Sequence, residues 1–178
     1  MLQLLFYILL LAPIREASGS STPPVSVIGD SLTVYIFLHD ECVISQFFTP
    51  ELTRLFEKYR SKKVGFVGYF PNNAASPEKM RAFAESYRLD FPLLNDHNKA
   101  LARKFGVTIT PEVAVWDHRH EQLIYRGRID DSYVRVGKRK LHPQRYDLQE
   151  TIDAWLSGQS SQTLVQTQAI GCFINFTD

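Results

Sequence analysis

The chain has 178 residues, with 20 Lys and Arg against 19 Asp and Glu, for a formal net charge of +1. This length suits one globular domain able to bury its own core. The near-neutral balance leaves no electrostatic footprint for nucleic acid or for an acidic partner.

Residues 1–19 carry an apolar run from Leu4 to about Ala12, too short to span a bilayer comfortably and of the length of a secretory h-region, and Ala17, Ser18 and Gly19 supply small residues for cleavage. The expectation is a signal peptide or, if it stays uncleaved, an anchor that associates the chain with a membrane. The protein is then periplasmic or extracellular, in an oxidising compartment where two cysteines serve as a disulfide or a redox pair. Residues 20–30 read as a Ser- and Pro-rich linker, 31–157 as the domain, and 158–178 as a tail carrying Cys172.

LTVYIFLH at 32–39 is β-branched and aromatic and predicts a buried strand. After Cys42, the residues Phe48, Leu52, Leu55, Phe56 and Tyr59 recur at helical spacing, and Pro50 is expected to kink or break that helix near its first turns. KVGFVGYF at 63–70 is a near-continuous apolar run, as in a strand covered on both faces. Ser76, Pro77 and Glu78 open a helix with a hydroxyl cap, a proline at the first position and an acid in the first turn; Met80, Phe83, Ala84 and Tyr87 form its apolar face.

FPLLND at 91–96 is a short extended piece, and HNKALARKFG at 97–106 is a short helix closed by Gly106. VTITPEVAVWD at 107–117 reads as a strand whose entry is Thr110-Pro111, returned antiparallel by 121–130 after a polar turn that holds His118 and His120 as solvated surface. Residues 131–145 lack periodicity and read as an inserted loop, with Arg135, Lys138, Arg139, Lys140 and Arg145 as a solvated basic surface and Asp130 and Asp131 as turn residues. Tyr146 to Leu148 open a last helix that ends at Ser157-Gly158. The order β-α-β-α-(β)-α-β-β-α predicts an α/β sandwich with a mixed central sheet.

Cys42 falls where a strand hands over to a helix. A thiol there lies beside unpaired backbone N–H groups and the positive end of the helix dipole, which favour the thiolate. Asp40 and Glu41 act against it, since adjacent negative charge raises a thiol's pKa. Ser45, one turn on, either donates a hydrogen bond to the thiolate or caps the helix. The competing reading is a buried, inert cysteine.

Cys172 sits in a small apolar island of the polar tail, Gly171-Cys172-Phe173-Ile174, which predicts that the segment docks back on the domain. It is either a resolving or disulfide partner for Cys42, or a free or intermolecular thiol. A static bridge would stabilise by about 4–5 kcal/mol in the chain-entropy model. A further alternative gathers His39, Cys42 and Cys172 around a soft ion such as copper. Apart from that, no cofactor is expected.

Over about residues 25–157 the chain resembles the thioredoxin-like superfamily, and within it the redoxin branch that includes the alkyl hydroperoxide reductase/thiol-specific antioxidant group. The resemblance is carried by TVYIFLH leading to Cys42, by KFGVTITPEVAVWD with Gly106, Val107 and Pro111, and by LIYRGRIDD. With its glycine-cysteine tail the chain looks like exported bacterial redoxin-domain proteins. The resemblance implies a thioredoxin-like three-layer sandwich whose mixed central sheet is flanked by helices. It also implies a cis Thr110–Pro111 bond against the reactive Cys42, with the Thr110 backbone offered to an extended substrate.

Two motifs depart from the family. Ser45 stands where a Cys-x-x-Cys motif has its second cysteine, and Tyr35 and His39 stand where the peroxidase motif has its proline and its hydroxyl residue. The expectation is an exported thiol-disulfide oxidoreductase or thiol-dependent antioxidant with Cys42, Cys172, Ser45, Thr110 and Pro111 at its site. It would act on a protein or small-molecule disulfide or a peroxide, with an external thiol as reductant. The other class is a non-catalytic thioredoxin-fold binding or copper-delivery module.

Overall fold

The computed structural model describes residues 31–159 and 163–177. The expected signal peptide and linker, residues 1–30, lie outside the described residues.

The strand β1 (Leu32–Phe37) runs through the middle of a six-stranded sheet. It pairs in parallel with β2 (Val64–Phe70), Val34 opposite Phe66, and antiparallel with β5 (Glu112–Asp117), Ile36 opposite Val113. Beyond β2 lies β3 (Leu93–Asn95), parallel; beyond β5 lie β6 (Gln122–Gly127), antiparallel, and then β9 (Val165–Gln166), parallel to β6. The sheet is therefore mixed, as the element order predicts.

Both faces of the sheet are covered, which is why β1 and β2 read as continuous apolar runs rather than alternating ones. Val34 and Ile36 face one buried cluster with Phe48, Leu52 and Leu55 of α1 (Val43–Tyr59), Phe83 of α2 (Pro77–Tyr87) and Ile152 of α4 (Asp147–Leu156). Phe37 and Ala114 face the other cluster, with Ala102 and Phe105 of α3 (Ala100–Phe105) and Ile174 of the tail. Each fully buried Leu, Ile or Phe contributes about 1.5–3 kcal/mol by transfer from water, so α1 is held by its apolar stripe more than by helix propensity.

Pro50 neither breaks α1 nor ends it, since the helix continues from Val43 to Tyr59. The proline has no N–H for the Gln46 carbonyl, but the Thr49 hydroxyl donates to that oxygen instead, at 2.8 Å. The entry to α2 is as the sequence predicts, with the Ser76 hydroxyl accepting from the Lys79 N–H at 3.3 Å. The α3 helix is shorter than expected: the Asp96 carboxylate accepts from the Leu101 and Ala102 N–H groups at 3.1 and 2.9 Å and so fixes its first turn. Gly106 closes it with φ 69°.

Two segments differ from the sequence reading. Residues 107–117 hold, before the strand entered at Thr110-Pro111, which is β5, a further short strand β4 (Ile109–Thr110), separate from it because Pro111 between them lacks the N–H that a continuous ladder needs. The supposed loop at 131–145 holds a small hairpin of β7 (Tyr133–Arg135) and β8 (Lys138–Arg139). The Asp131 carboxylate ties that insert down, accepting from the Gln144 and Arg145 N–H groups at 2.7 and 3.2 Å and pairing with Lys140. The ring of Tyr133 stands edge-on to Phe47 of α1 at 5.2 Å. The tail adds β10 (Cys172–Phe173), antiparallel to β4 and outside the main sheet.

Candidate active site

Cys42 is the N-cap residue of α1, with extended backbone and no side-chain cap bond. Its N–H donates to the His39 carbonyl at 3.1 Å, closing a tight turn between β1 and the helix, and its own carbonyl accepts from the Gln46 N–H at 3.0 Å. The thiol is thus held over the first turn of α1, where backbone N–H groups have no helical partner. Only 1 % of the residue is exposed. Ser45 is fully buried beneath it, and its hydroxyl oxygen accepts from the His39 N–H at 3.2 Å.

Across from α1 stands the loop that carries Thr110 and Pro111, joined by a cis peptide bond. The Cys42 thiol donates to the Thr110 carbonyl oxygen at 3.2 Å. The tail arrives on the other side of Thr110: Cys172 is its register partner, and the Thr110 hydroxyl donates to the Cys172 carbonyl at 3.3 Å. Both cysteines are free thiols, and Thr110 makes contact with each. The structure therefore brings Cys42, Ser45, Thr110, Pro111 and Cys172 together.

The electrostatics separate the two thiols. Burial disfavours a Cys42 thiolate, but hydrogen bonds from the Cys172 thiol, from the Ser45 and Ile44 backbone N–H groups and from the Ser45 hydroxyl outweigh it and hold Cys42 below its ordinary value. For Cys172, burial, the same sulfur–sulfur hydrogen bond and the nearby Cys42 charge all work the other way, and its thiol is pushed up to about 12. Asp40 is turned toward Asn72, whose amide donates to its carboxylate at 3.3 Å, and Glu41 is exposed. Of the two thiols, Cys42 is the one that gives up its proton more readily.

The copper alternative is not assembled. Among the described residues no group of three or more His, Cys, Asp or Glu side chains could hold a metal ion, and the His39 Nδ1 accepts from the Glu41 N–H at 3.1 Å. His118 and His120 are bound to neighbours, His118 to the Thr33 hydroxyl at 2.9 Å and His120 to the Asp117 carboxylate at 2.8 Å.

Sequence reasoning missed how the tail is seated. The Ile174 N–H donates to the Thr108 carbonyl at 2.9 Å, its side chain is buried against Phe105, and Arg103 donates to the Phe176 carbonyl at 3.1 Å while lying over that ring. Gly171 passes so close to the Thr110 carbonyl that any Cβ there would collide with it. A glycine just before the cysteine, inside an apolar island, was the available signal.

A mixed sheet with helices on both faces, a cysteine capping the helix after its central strand, and a Thr-Pro loop set against that cysteine define a thioredoxin-like protein of the redoxin class. Residues 25–129 match the AhpC/TSA family, and the chain belongs to it. Among solved structures, it is similar to an uncharacterized conserved protein from Geobacillus kaustophilus, 30% identical, with a TM-score of 0.73 over 84% of this chain and 79% of that one. It is also similar to a hypothetical protein from Sinorhizobium meliloti, 26% identical, with a TM-score of 0.72 over 84% of this chain and 81% of the other. No curated protein matches the sequence.

Proposed function

We propose that the chain is an exported thiol-disulfide oxidoreductase in which Cys42 attacks and Cys172 resolves. The observation that carries this reading is that both cysteines meet at Thr110, the Cys42 thiol on its carbonyl at 3.2 Å and Cys172 as its register partner, with Cys42 lowered and Cys172 raised. The Cys42 thiolate attacks one sulfur of a substrate disulfide; a Cys42–substrate bond forms, the substrate S–S bond breaks, and the departing thiolate takes a proton from solvent. Cys172 then gives up its proton and attacks the Cys42 sulfur, releasing the second substrate thiolate and leaving a Cys42–Cys172 disulfide. An external thiol returns the two electrons.

Family membership admits a second oxidant, a peroxide, although Tyr35 and His39 replace the peroxidase motif's proline and hydroxyl residue. In that case the O–O bond breaks on Cys42, water or an alcohol leaves, and Cys172 condenses with the sulfenic acid with loss of water. Export by residues 1–19 and, where that segment is retained, contact with a membrane belong to the same proposal.

The test is turnover of insulin disulfides and of hydrogen peroxide with a thiol reductant. Cys42→Ser should abolish both, and Cys172→Ser should let a mixed disulfide accumulate on Cys42. Unchanged turnover in Cys42→Ser would overturn the proposal.

A further inference from the structure

Residues 132–146 carry five cations, Arg135, Lys138, Arg139, Lys140 and Arg145, and none of the chain's 19 Asp and Glu residues. Two of the five hold the insert to the domain: Lys140 pairs with Asp131 and Arg145 with Glu150. Arg135, Lys138 and Arg139 are exposed, and among the described residues none of them pairs with a carboxylate. Aliphatic side chains stand out between them, Val134 49% exposed, Val136 64% and Leu141 91%. Solvation accounts for the cations but not for three exposed aliphatic side chains among them.

The insert stands at the Cys42 end of the domain. The Tyr133 ring meets Phe47 edge-on at 5.2 Å, and the Arg139 guanidinium lies over the same ring at 4.9 Å, in the second turn of the helix that Cys42 caps. At its other end the Asp131 carboxylate gathers the Gln144 and Arg145 N–H groups. The hairpin is thus built before a partner arrives, and binding carries little cost of ordering it. A stable protein interface takes about 20–30 residues a side, more than this segment offers. A bilayer asks for less: a few cations at the level of the phosphates and a few aliphatic side chains among the headgroups.

We infer that the β7–β8 insert docks on an anionic lipid surface, with Arg135, Lys138 and Arg139 supplying the charge and Val134, Val136 and Leu141 entering between the headgroups. The contact belongs to the folded domain and is separate from an anchor in residues 1–19. Because the insert rests on the first turns of α1, the docked domain presents its Cys42 end to the bilayer. The inference goes beyond the oxidoreductase reading and does not depend on it.

The experiment is co-sedimentation of the full chain with vesicles of phosphatidylcholine alone or of an equimolar phosphatidylcholine–phosphatidylglycerol mixture. A pull by residues 4–12 acts on both lipids, so the ratio of the two partition constants reads the charge. Each cation close to an anionic surface is worth about fivefold. Arg135→Gln with Lys138→Gln should therefore lower the ratio by about tenfold or more, and Lys62→Gln with Lys63→Gln, the same loss of charge at the far end of α1, by less than about threefold. Val136→Ser with Leu141→Ser should lower the partition constant on the anionic vesicles by about tenfold in high salt, where charges are screened and apolar insertion remains. Circular dichroism checks that each variant folds, and Leu141→Ser alone replaces the pair should the pair not fold.

Equal effects of the two charge pairs, no preference for the anionic vesicles, or an unchanged partition constant on loss of the aliphatic side chains would overturn the inference. Tighter binding of soluble polyglutamate than of the anionic vesicles would overturn it in favour of an acidic protein partner. None of these outcomes touches the oxidoreductase reading, which has its own insulin assay.

Discussion

The Cys42 thiol donates its hydrogen bond to the carbonyl of Thr110, 68 residues away in sequence, and Thr110 is also the residue on which Cys172 is registered. One backbone unit therefore positions both sulfurs. Removing the Cys172 thiol should move the Cys42 pKa upward, because the hydrogen bond that Cys172 gives the thiolate is lost. The pH dependence of iodoacetamide alkylation reads this. In the unaltered protein Cys42 should react below the ordinary thiol range and Cys172 only toward about 12, and Cys172→Ala should shift the Cys42 curve to higher pH. A Cys42 curve indifferent to Cys172→Ala would show that the sulfurs do not meet.

Gly171 is where the tail comes closest to that carbonyl. A Cβ there meets backbone atoms of Thr110, which cannot swing aside as a side-chain tip could, so Gly171→Ala should displace the tail and carry Cys172 with it. Misplacement of a reacting group by about 1 Å is enough for a large loss of rate, so the resolving step should slow by about tenfold or more in single-turnover mixing, while formation of the mixed disulfide does not slow. If resolution proceeds at the original rate, Gly171 does not set the sulfur position.

Much of this site was legible in the sequence because its determinants are local. The strand before Cys42, the helix after it and the Thr-Pro pair each carry their own apolar pattern or punctuation within a few residues. The partnerships were less legible. Nothing near Asp96 shows that its carboxylate closes the first turn of α3, and nothing near Asp131 shows that it gathers residues 140, 144 and 145, since these bonds are formed across loops rather than along a periodic face. The 107–117 run shows its entry at Thr110-Pro111 but not the two-residue strand before it, which is too short to display a pattern of its own. It divides because of a missing N–H at Pro111, which a side-chain pattern does not record.

Asp131 yields a pH prediction of definite sign. Burial raises its carboxyl, but the bonds from Lys140, Gln144 and Arg145 prevail and hold it at about 2, below its unfolded value of 3.8. A depressed folded pKa contributes stability that is fully present above the unfolded value and is lost as pH falls through the folded one. Asp131→Asn should therefore cost about 1–3 kcal/mol near neutral pH, the range for hydrogen bonds to a charged group, and the difference should shrink between about pH 4 and pH 2. Urea unfolding at a series of pH values measures it. A difference that is constant across that window would show that the Asp131 charge does not hold the β7–β8 insert.

The helix that carries Cys42 offers the most local test. Thr49 is 1% exposed, and its hydroxyl supplies the Gln46 carbonyl with the hydrogen bond that Pro50 cannot give. Thr49→Val keeps the shape and removes the donor, leaving that carbonyl short of a partner at a cost of about 1–2 kcal/mol. Pro50→Ala restores a backbone N–H at the right place, so Thr49→Val should cost less in that background than in the original one. Denaturant unfolding of the four proteins gives the coupling directly, with an expected size of about 0.5–1 kcal/mol. Strict additivity would mean that the hydroxyl does not stand in for the missing N–H, and that α1 tolerates Pro50 through the packing of Phe48, Leu52 and Leu55 alone.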